Sequence, residues 1–372
     1  MEKILIVTGE ASGDLHGALL IKELKKLIPD LKIFGIGGEK LKEEGVELIY
    51  HIRDIAVVGI LEVIPKFFRI RNAMSVLYQK MLSDRPDVCL LIDYPGFNLR
   101  FARLAKKKGI KVVYYILPQI WAWGRWRVKS IYRWIDKGIS ILPFEQEFYD
   151  ISRFIGTQIE FVGHPLLDII QPKTENRKPK TEIIALLPGS RKEEIKRILP
   201  VMLECVKEMP EFEFILPVAP GIDRNCIERL VVATNELPLH RIKIVEGSVY
   251  EVLRSSKLAL IASGTATLEA CILEVPMIII YKFGLISYIF GRLFVRTRWI
   301  GLPNIIAGEE VVPEFIQFNT KPPKIIKTAR RILKNREQTV LKLREVNKKL
   351  GSSGAAHRAA EILYKFTSKA TD

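Results

Sequence analysis

Asp93 ends the apolar run Val88-Cys-Leu-Leu-Ile92 and precedes Tyr94-Pro-Gly-Phe-Asn98. A short run of that kind reads as a buried strand, and a carboxylate at its carboxyl end stands where open α/β sheets bind ligands. Partial loss of water there would raise its pKa toward that of a useful general base. The alternative role is a cap on a turn or helix starting near Asn98. A second group follows the first apolar run, where Gly9-Glu-Ala-Ser-Gly-Asp-Leu-His-Gly17 crowds Glu10, Asp14 and His16 at another strand end. One of these suits contact with a substrate hydroxyl, and His16 has the unperturbed pKa nearest neutrality. The glycines either let a ligand approach free backbone N–H groups or simply make a tight turn. Their spacing, G-x-x-x-G-x-x-x-G, departs from the dinucleotide fingerprint G-x-G-x-x-G, although Glu39 could imitate the ribose-binding acid.

Two loops in the second half share a design of strand, small residues and helix. Leu186-Leu-Pro-Gly-Ser190-Arg191 places a guanidinium fork beside helix N–H groups, and both favour a diphosphate. Ala262-Ser-Gly-Thr-Ala-Thr-Leu-Glu269 offers the amides of Gly264 and Thr265, beside Ser263, to a phosphate. Glu269, one turn into the helix, suits the paired hydroxyls of a ribose. Either loop alone could be an ordinary helix cap; two in one half favour nucleotide binding. The sequence holds no D-x-D and no G-x-x-x-x-G-K-[ST], so neither a paired-acid metal site nor a phosphate-loop kinase is expected, and no metal or cofactor is invoked.

Two basic aromatic stretches suit a surface helix lying among lipid headgroups, where apolar burial and attraction to anionic lipid act together. One, Ile64-Pro-Lys-Phe-Phe-Arg-Ile-Arg71, contains Phe67, Phe68 and Arg69; the other runs from Phe283 to Trp299 and contains Phe290 and Phe294. Core helices with snorkelling arginines are the alternative. Trp121, Trp123 and Trp126 beside Arg125 and Arg127 could stack on RNA, but no nucleic-acid module accompanies them, so no nucleic-acid partner is expected.

The elements that must position these residues follow from the alternation of apolar runs with helical spacing. Candidate strands are Ile4–Thr8, Lys32–Ile36, Val88–Asp93, Lys111–Ile116, Gly138–Leu142 and Ile159–Val162. Between them, stretches such as Leu15–Ile28 repeat apolar residues at helix spacing, which is the signature of βαβ units on a parallel sheet. The polar segment 171–180 reads as a linker. A second series follows with Glu182–Leu187, Phe212–Pro217, Ile242–Val245, Leu258–Ala262 and Pro276–Tyr281, and beyond Thr320 the pattern is helical and basic. The expected architecture is α/β: two tandem Rossmann-like domains, 1–170 and 181–320, with a helical tail, 321–372, packing on an N-terminal domain.

At 372 residues the chain is long enough for two or three domains, and a peptide hormone or single small module is excluded. Lys+Arg 58 against Asp+Glu 42 gives a net charge of +16, a field that attracts phosphates, nucleic acid or anionic headgroups alike. Cys89, Cys205, Cys226 and Cys271 lie far apart without metal-ligand spacing, which fits a reducing compartment. The amino terminus reads as a first strand rather than a signal peptide, so a cytoplasmic location is expected. No run approaches the ~18–20 apolar residues of a spanning helix, so membrane contact would be peripheral.

The motifs, taken in order, resemble the lipid-A-disaccharide synthase family. They are Gly9-Glu-Ala-Ser-Gly-Asp14, Ile92-Asp-Tyr-Pro-Gly-Phe-Asn98, Pro118-Gln-Ile-Trp-Ala-Trp123, Leu142-Pro-Phe-Glu145, Phe161-Val-Gly-His-Pro165, Leu187-Pro-Gly-Ser-Arg191, Ser263-Gly-Thr-Ala266 with Glu269, and Leu302-Pro-Asn304. The resemblance runs from about residue 3 to residue 310. It implies a two-domain, inverting glycosyltransferase of the B type that needs no metal. UDP would be held in the second domain by Arg191, Ser263, Thr265, Glu269 and Asn304, with Ser190 and Gly264 alongside. The acceptor would meet the first domain near Glu10, Asp14 and Asp93. The implied donor is UDP-2,3-diacylglucosamine and the acceptor 2,3-diacylglucosamine 1-phosphate, drawn from an anionic inner-membrane surface. A homodimer formed by exchange of the helical tail is a further expectation. Two other readings remain at this point: a nucleotide-sugar epimerase of the same tandem plan, and a non-enzymatic lipid or RNA adaptor that needs neither Asp93 nor a UDP pocket.

Overall fold

A computed structural model of the chain describes residues 3–55, 63–122, 124–150, 158–170, 182–219, 221–233, 241–247, 249–284 and 297–368. The expected linker 171–180 and the residues Trp123, Phe290 and Phe294 lie outside these, as does the side chain of Phe67. The chain divides into two compact units, Met1–Asp168 with Gly351–Asp372, and Ile169–Leu350.

In the first unit the elements run β1 (Lys3–Val7), α1 (Ala11–Leu27), β2 (Lys32–Gly37), α2 (Glu39–Glu43), β3 (Glu47–His51), α3 (Ile52–Ile55), α4 (Val63–Asp84), β4 (Val88–Ile92), α5 (Pro95–Lys107), β5 (Lys111–Tyr115), α6 (Val128–Trp134), β6 (Lys137–Ser140), α7 (Glu145–Asp150), β7 (Gln158–Phe161) and α8 (Leu166–Ile169). The seven strands order as β3-β2-β1-β4-β5-β6-β7, all parallel. Ile4–Val7 and Val88–Ile92 are fully buried, because a central strand of a parallel sheet is covered on both faces and reads as an unbroken apolar run. β3 does not read that way. Its sequence, Glu-Leu-Ile-Tyr-His, has no buried residue and lies at the sheet edge, and for that reason sequence periodicity passes over it.

The second unit repeats the plan with β8 (Ile183–Leu187), α9 (Lys192–Lys207), β9 (Glu213–Val218), α10 (Arg224–Val232), β10 (Ile242–Glu246), α11 (Val249–Ser255), β11 (Leu258–Ala262), α12 (Thr265–Ile272), β12 (Met277–Tyr281) and β13 (Glu314–Ile316). The order is β10-β9-β8-β11-β12-β13, again parallel, and β13 is the second unanticipated edge strand. This is the α/β fold expected: two Rossmann-like sheets and a helical carboxyl-terminal region.

Of the last three helices, Pro322–Lys334 packs on α9 and Arg336–Lys349 packs on α12, both in the second unit. Ala355–Ser368 packs on α1 of the first. Its start is capped from far along the chain. The Asp168 carboxylate accepts the N–H groups of Gly354 at 2.5 Å, Ala355 at 3.2 Å and Ala356 at 2.8 Å, while Arg358 donates to the Val162 carbonyl at 2.8 Å. No helix among the described residues is long and apolar enough to cross a membrane.

Candidate active site

Each sheet has one point where the strand order reverses, and ligands of open α/β sheets bind in the crevice beyond the carboxyl ends of those strands. In the first unit the point lies between β1 and β4, so the loops carrying Glu10 and Asp93 adjoin. In the second it lies between β8 and β11, which brings together Ser190-Arg191 and Ser263–Thr265. Loops about 75–85 residues apart in sequence thus share one edge in each unit.

Asp93 enters a tight, strained turn. Its φ of 46° and that of Tyr94, 48°, are both left-handed, a conformation that costs a non-glycine residue ~1–2 kcal/mol. The surroundings hold the turn in place. The buried Asn98 of α5 donates through Nδ2 to the carbonyls of Asp93 at 2.7 Å and Ile92 at 3.1 Å, and the Tyr114 hydroxyl donates to the Asp93 carbonyl. The Asp93 N–H extends the ladder to the Tyr115 carbonyl at 3.2 Å. Helix α5 begins at Pro95 with Tyr94 as its cap residue and no capping side chain, so Asp93 is free of the capping role considered for it. Burial, and then the charge of Glu10, push the Asp93 carboxyl up to about 6, against a backbone N–H from Tyr94 that favours the charged form.

The glycines of the first loop serve packing rather than a ligand. A Cβ on Gly9 would lie 2.2 Å from the Tyr94 ring, one on Gly13 would lie 2.2 Å from the Thr8 hydroxyl, and one on Gly17 would lie 2.9 Å from Ile92. Their four-residue spacing puts Gly13 and Gly17 on the face of α1 that lies against the sheet. Helix α1 starts at Ala11, so His16 is well inside it rather than at the rim. Its ring is buried edge-on to His164, with centroids 6.2 Å apart, and Nδ1 has no partner. Burial lowers His16 to about 4 and His164 to about 3, so both are neutral near pH 7. Asp14 is buried too, and its carboxylate accepts the N–H groups of Gly38 at 2.6 Å, Lys40 at 3.0 Å and Leu41 at 3.3 Å. It thereby ties α1 to the start of α2. Of the three expected polar groups only Glu10 is exposed.

One buried carboxylate was not singled out from the sequence. Glu145, the first residue of α7, is 1% exposed; its Oε1 accepts Trp121 Nε1 at 3.0 Å and its Oε2 accepts the Leu142 N–H at 3.3 Å. Burial raises it to about 7 despite these bonds, and the Asp93 charge adds to the rise. The signal was the same as for Asp93: a carboxylate just past a strand, here in Leu142-Pro-Phe-Glu145.

In the second unit Ser190, Arg191, Gly264 and Thr265 are exposed. The Arg191 guanidinium is oriented by Glu194, whose Oε1 lies 3.2 Å from Arg191 Nη1 and accepts the Tyr281 hydroxyl at 2.9 Å. Glu269 is half-buried, raised by burial, and accepts the Tyr250 hydroxyl at 3.3 Å. Ser263 Oγ donates to the Ile300 carbonyl at 2.8 Å. Asn304 departs from expectation. It is fully buried, with Nδ2 donating to the Val312 carbonyl and Glu314, and Oδ1 accepting the N–H groups of Val311 and Val312. Its side chain shapes the loop around helix Leu302–Ala307 and has no open donor for a nucleotide. Phe68 is 75% exposed, with Arg69 beside it, and Trp126 is 64% exposed.

Residues 4–363 match the family model described as lipid-A-disaccharide synthetase. The chain is 41% identical to the lipid-A-disaccharide synthase of Anaeromyxobacter dehalogenans (strain 2CP-C), covering 97% of this chain and 96% of that one. It is 39% identical to the enzyme of the same name from Geobacter sulfurreducens, covering 99% and 98%. Among solved structures it resembles the UDP-GlcNAc 2-epimerase of Neisseria meningitidis bound to UDP-GlcNAc, with TM-score 0.64, 15% identity and 99% and 100% coverage. It also resembles the calicheamicin glycosyltransferase CalG4, with TM-score 0.65, 14% identity and 98% coverage of each chain. Epimerase and transferase share this fold, so the fold alone does not choose between them.

Proposed function

The chain belongs to the lipid-A-disaccharide synthetase family and is a glycosyltransferase of lipid A biosynthesis, and we propose that it joins UDP-2,3-diacylglucosamine to 2,3-diacylglucosamine 1-phosphate with Asp93 as general base. The family match favours this over an epimerase or an adaptor. The observation that carries the base is the Asp93 carboxyl, held by a strained turn at the strand-order reversal and raised to about 6. At neutral pH it is ionised, yet basic enough to take a proton in the transition state.

The acceptor's 6-hydroxyl attacks the anomeric carbon of the donor and passes its proton to Asp93. The new carbon–oxygen bond forms as the bond from the anomeric carbon to the diphosphate oxygen breaks, and the electron pair leaves with UDP, inverting that carbon. Charge grows on the departing diphosphate. Arg191, beside the start of α9, and the amides of Gly264 and Thr265 at the start of α12 are the groups suited to stabilise it. Glu269, flanked by Tyr250, suits the ribose hydroxyls. A UDP-GlcNAc complex of the same fold supports nucleotide binding. Neither neutral His16 nor Asp14, with its oxygens taken by three N–H groups, competes well for the base.

The test compares Asp93→Asn with His16→Asn and Glu10→Gln, each checked for folding and for UDP binding by calorimetry. Asp93→Asn should lower kcat by ~10²–10⁴-fold, the usual general-base contribution, with UDP affinity unchanged. Retention of most turnover by Asp93→Asn would refute the assignment.

The lipid substrates call for contact with a membrane surface, and the exposed Phe68 and Arg69 with the +16 charge support it. Sedimentation should show binding that rises with anionic lipid and weakens with salt. Equal binding to neutral vesicles would remove the electrostatic part.

A further inference from the structure

The loop after β11 has little packing of its own. Gly264 and Thr265 are exposed, and a Cβ on Gly264 would meet nothing within 4 Å. Its direction is therefore set by tethers at its two ends. On the helix side the Gly264 carbonyl accepts the Thr267 N–H at 3.1 Å and the Thr267 hydroxyl at 2.7 Å. On the strand side Ser263 Oγ donates to the Ile300 carbonyl at 2.8 Å. A hydroxyl has one proton to donate. With that proton given to Ile300, Ser263 shows only lone pairs to an anion, so it serves as a tether and not as a phosphate donor.

The tether leads to the edge strand β13. Glu314, its first residue, accepts the Gly301 N–H at 2.9 Å and Asn304 Nδ2 at 2.8 Å on Oε1, and the Ile300 N–H at 2.9 Å on Oε2. One peptide unit thus joins the two side chains, because the Ile300 carbonyl bonded to Ser263 and the Gly301 N–H bonded to Glu314 belong to the same amide plane. Bonds at both ends of one peptide polarise it and strengthen each other. The junction has no slack. A Cβ on Gly301 would lie 2.2 Å from Ile279 Cδ1 and 3.0 Å from Glu314 Oε1. Three donors converge on two oxygens, and that requires a carboxylate: a glutamine in its place would set its own NH2 against at least one backbone N–H.

We infer that Glu314 is a positioning residue for the nucleotide diphosphate: through the Ile300–Gly301 peptide and the Ser263 hydroxyl it sets the direction of the Gly264 and Thr265 amides. Donors stabilise an anion best when their orientation is fixed before it arrives. The inference rests on the reading that these amides receive the diphosphate.

The experiment measures UDP and uridine binding by calorimetry to the full-length protein and to Glu314→Gln, Ser263→Ala and the double variant, with folding checked by urea unfolding. Wild type should bind UDP more tightly than uridine. Each single variant should lose about tenfold in UDP affinity and leave uridine affinity unchanged. The double variant should lose no more than the larger single loss, because both act through one peptide. Amide hydrogen exchange over residues 263–266 in the ligand-free protein should quicken in each. A Glu314→Gln chain that binds UDP like wild type, an equal loss for uridine, or additive losses in the double variant overturns the inference. If Glu314→Gln does not fold, Ser263→Ala decides: weaker UDP binding with quickened exchange upholds the tether, and unchanged exchange or unchanged UDP affinity overturns it. A wild-type protein with no preference for UDP over uridine overturns the diphosphate reading of the loop as well, whereas a preference kept in Glu314→Gln overturns the inference alone.

Discussion

The carboxyl-terminal edges of the two sheets treat their ionisable groups in opposite ways. In the first unit, beyond β1, β4, β6 and β7, Glu10 stays exposed but four groups are taken out of water: two histidines neutral near pH 7 and two carboxyls raised to about 6 and 7. In the second, beyond β8 and β11, Ser190, Arg191, Gly264 and Thr265 face solvent. The chemistry proposed for each accounts for the contrast. Proton transfer needs a group whose affinity for the proton is tuned, and burial is the strongest means of tuning it. Capture of a diphosphate needs donors that are open, oriented and permanently charged, which Arg191 achieves through Glu194 and Tyr281. Burying an unpaired guanidinium would cost more than it returned.

The contrast can be tested most sharply through stability. A histidine whose folded pKa is lowered stabilises the fold above its unfolded value of ~6.5, and that contribution is lost as pH falls toward about 4. A carboxyl whose folded pKa is raised acts in the other direction, with stability present at low pH and lost as pH rises through about 6. Urea unfolding at pH 7 and pH 4 should show His16→Gln losing about 3 kcal/mol less than wild type on acidification, at ~1.4 kcal/mol per pH unit. Asp93→Asn should lose more than wild type. Parallel curves for all three chains would mean that the first-unit groups are hydrated and that the contrast fails.

A smaller effect is expected in the second unit. Arg191→Gln should weaken UDP binding by ~10–100-fold, the usual range for a lost charged hydrogen bond, and reduce its salt dependence. The pH steps of turnover should stay where they are, because no first-unit group is touched. Unchanged UDP affinity would break the assignment of Arg191. A shifted pH profile would show that the two sets of residues are not separable.

Much of this was legible in the chain. Central strands announce themselves because both faces are covered, and candidate loops announce themselves because small and polar residues interrupt such runs. Asp93, Arg191 and Ser263–Glu269 were all proposed on that signal, and the structure puts them just past the ends of β4, β8 and β11. The edge strands β3 and β13 were not, since half-solvated strands lack the pattern. The engagement of the Asn304 side chain was not legible for another reason. Asparagine offers the same donors to a nucleotide as to the protein's own backbone, and only the fold shows that Val311, Val312 and Glu314 already use them.

The sequence by itself determined the central strands of the two parallel sheets and the loops at their carboxyl ends, because these depend on the local periodicity of burial and on turn chemistry. The family, too, is carried by motifs that can be read one residue at a time. Tertiary structure alone decided which ionisable groups are dry. Burial, and with it the neutrality of His16, the engagement of Asp14 with α2 and the bond of Glu145 to Trp121, is set by segments distant in sequence that a linear pattern does not bring together.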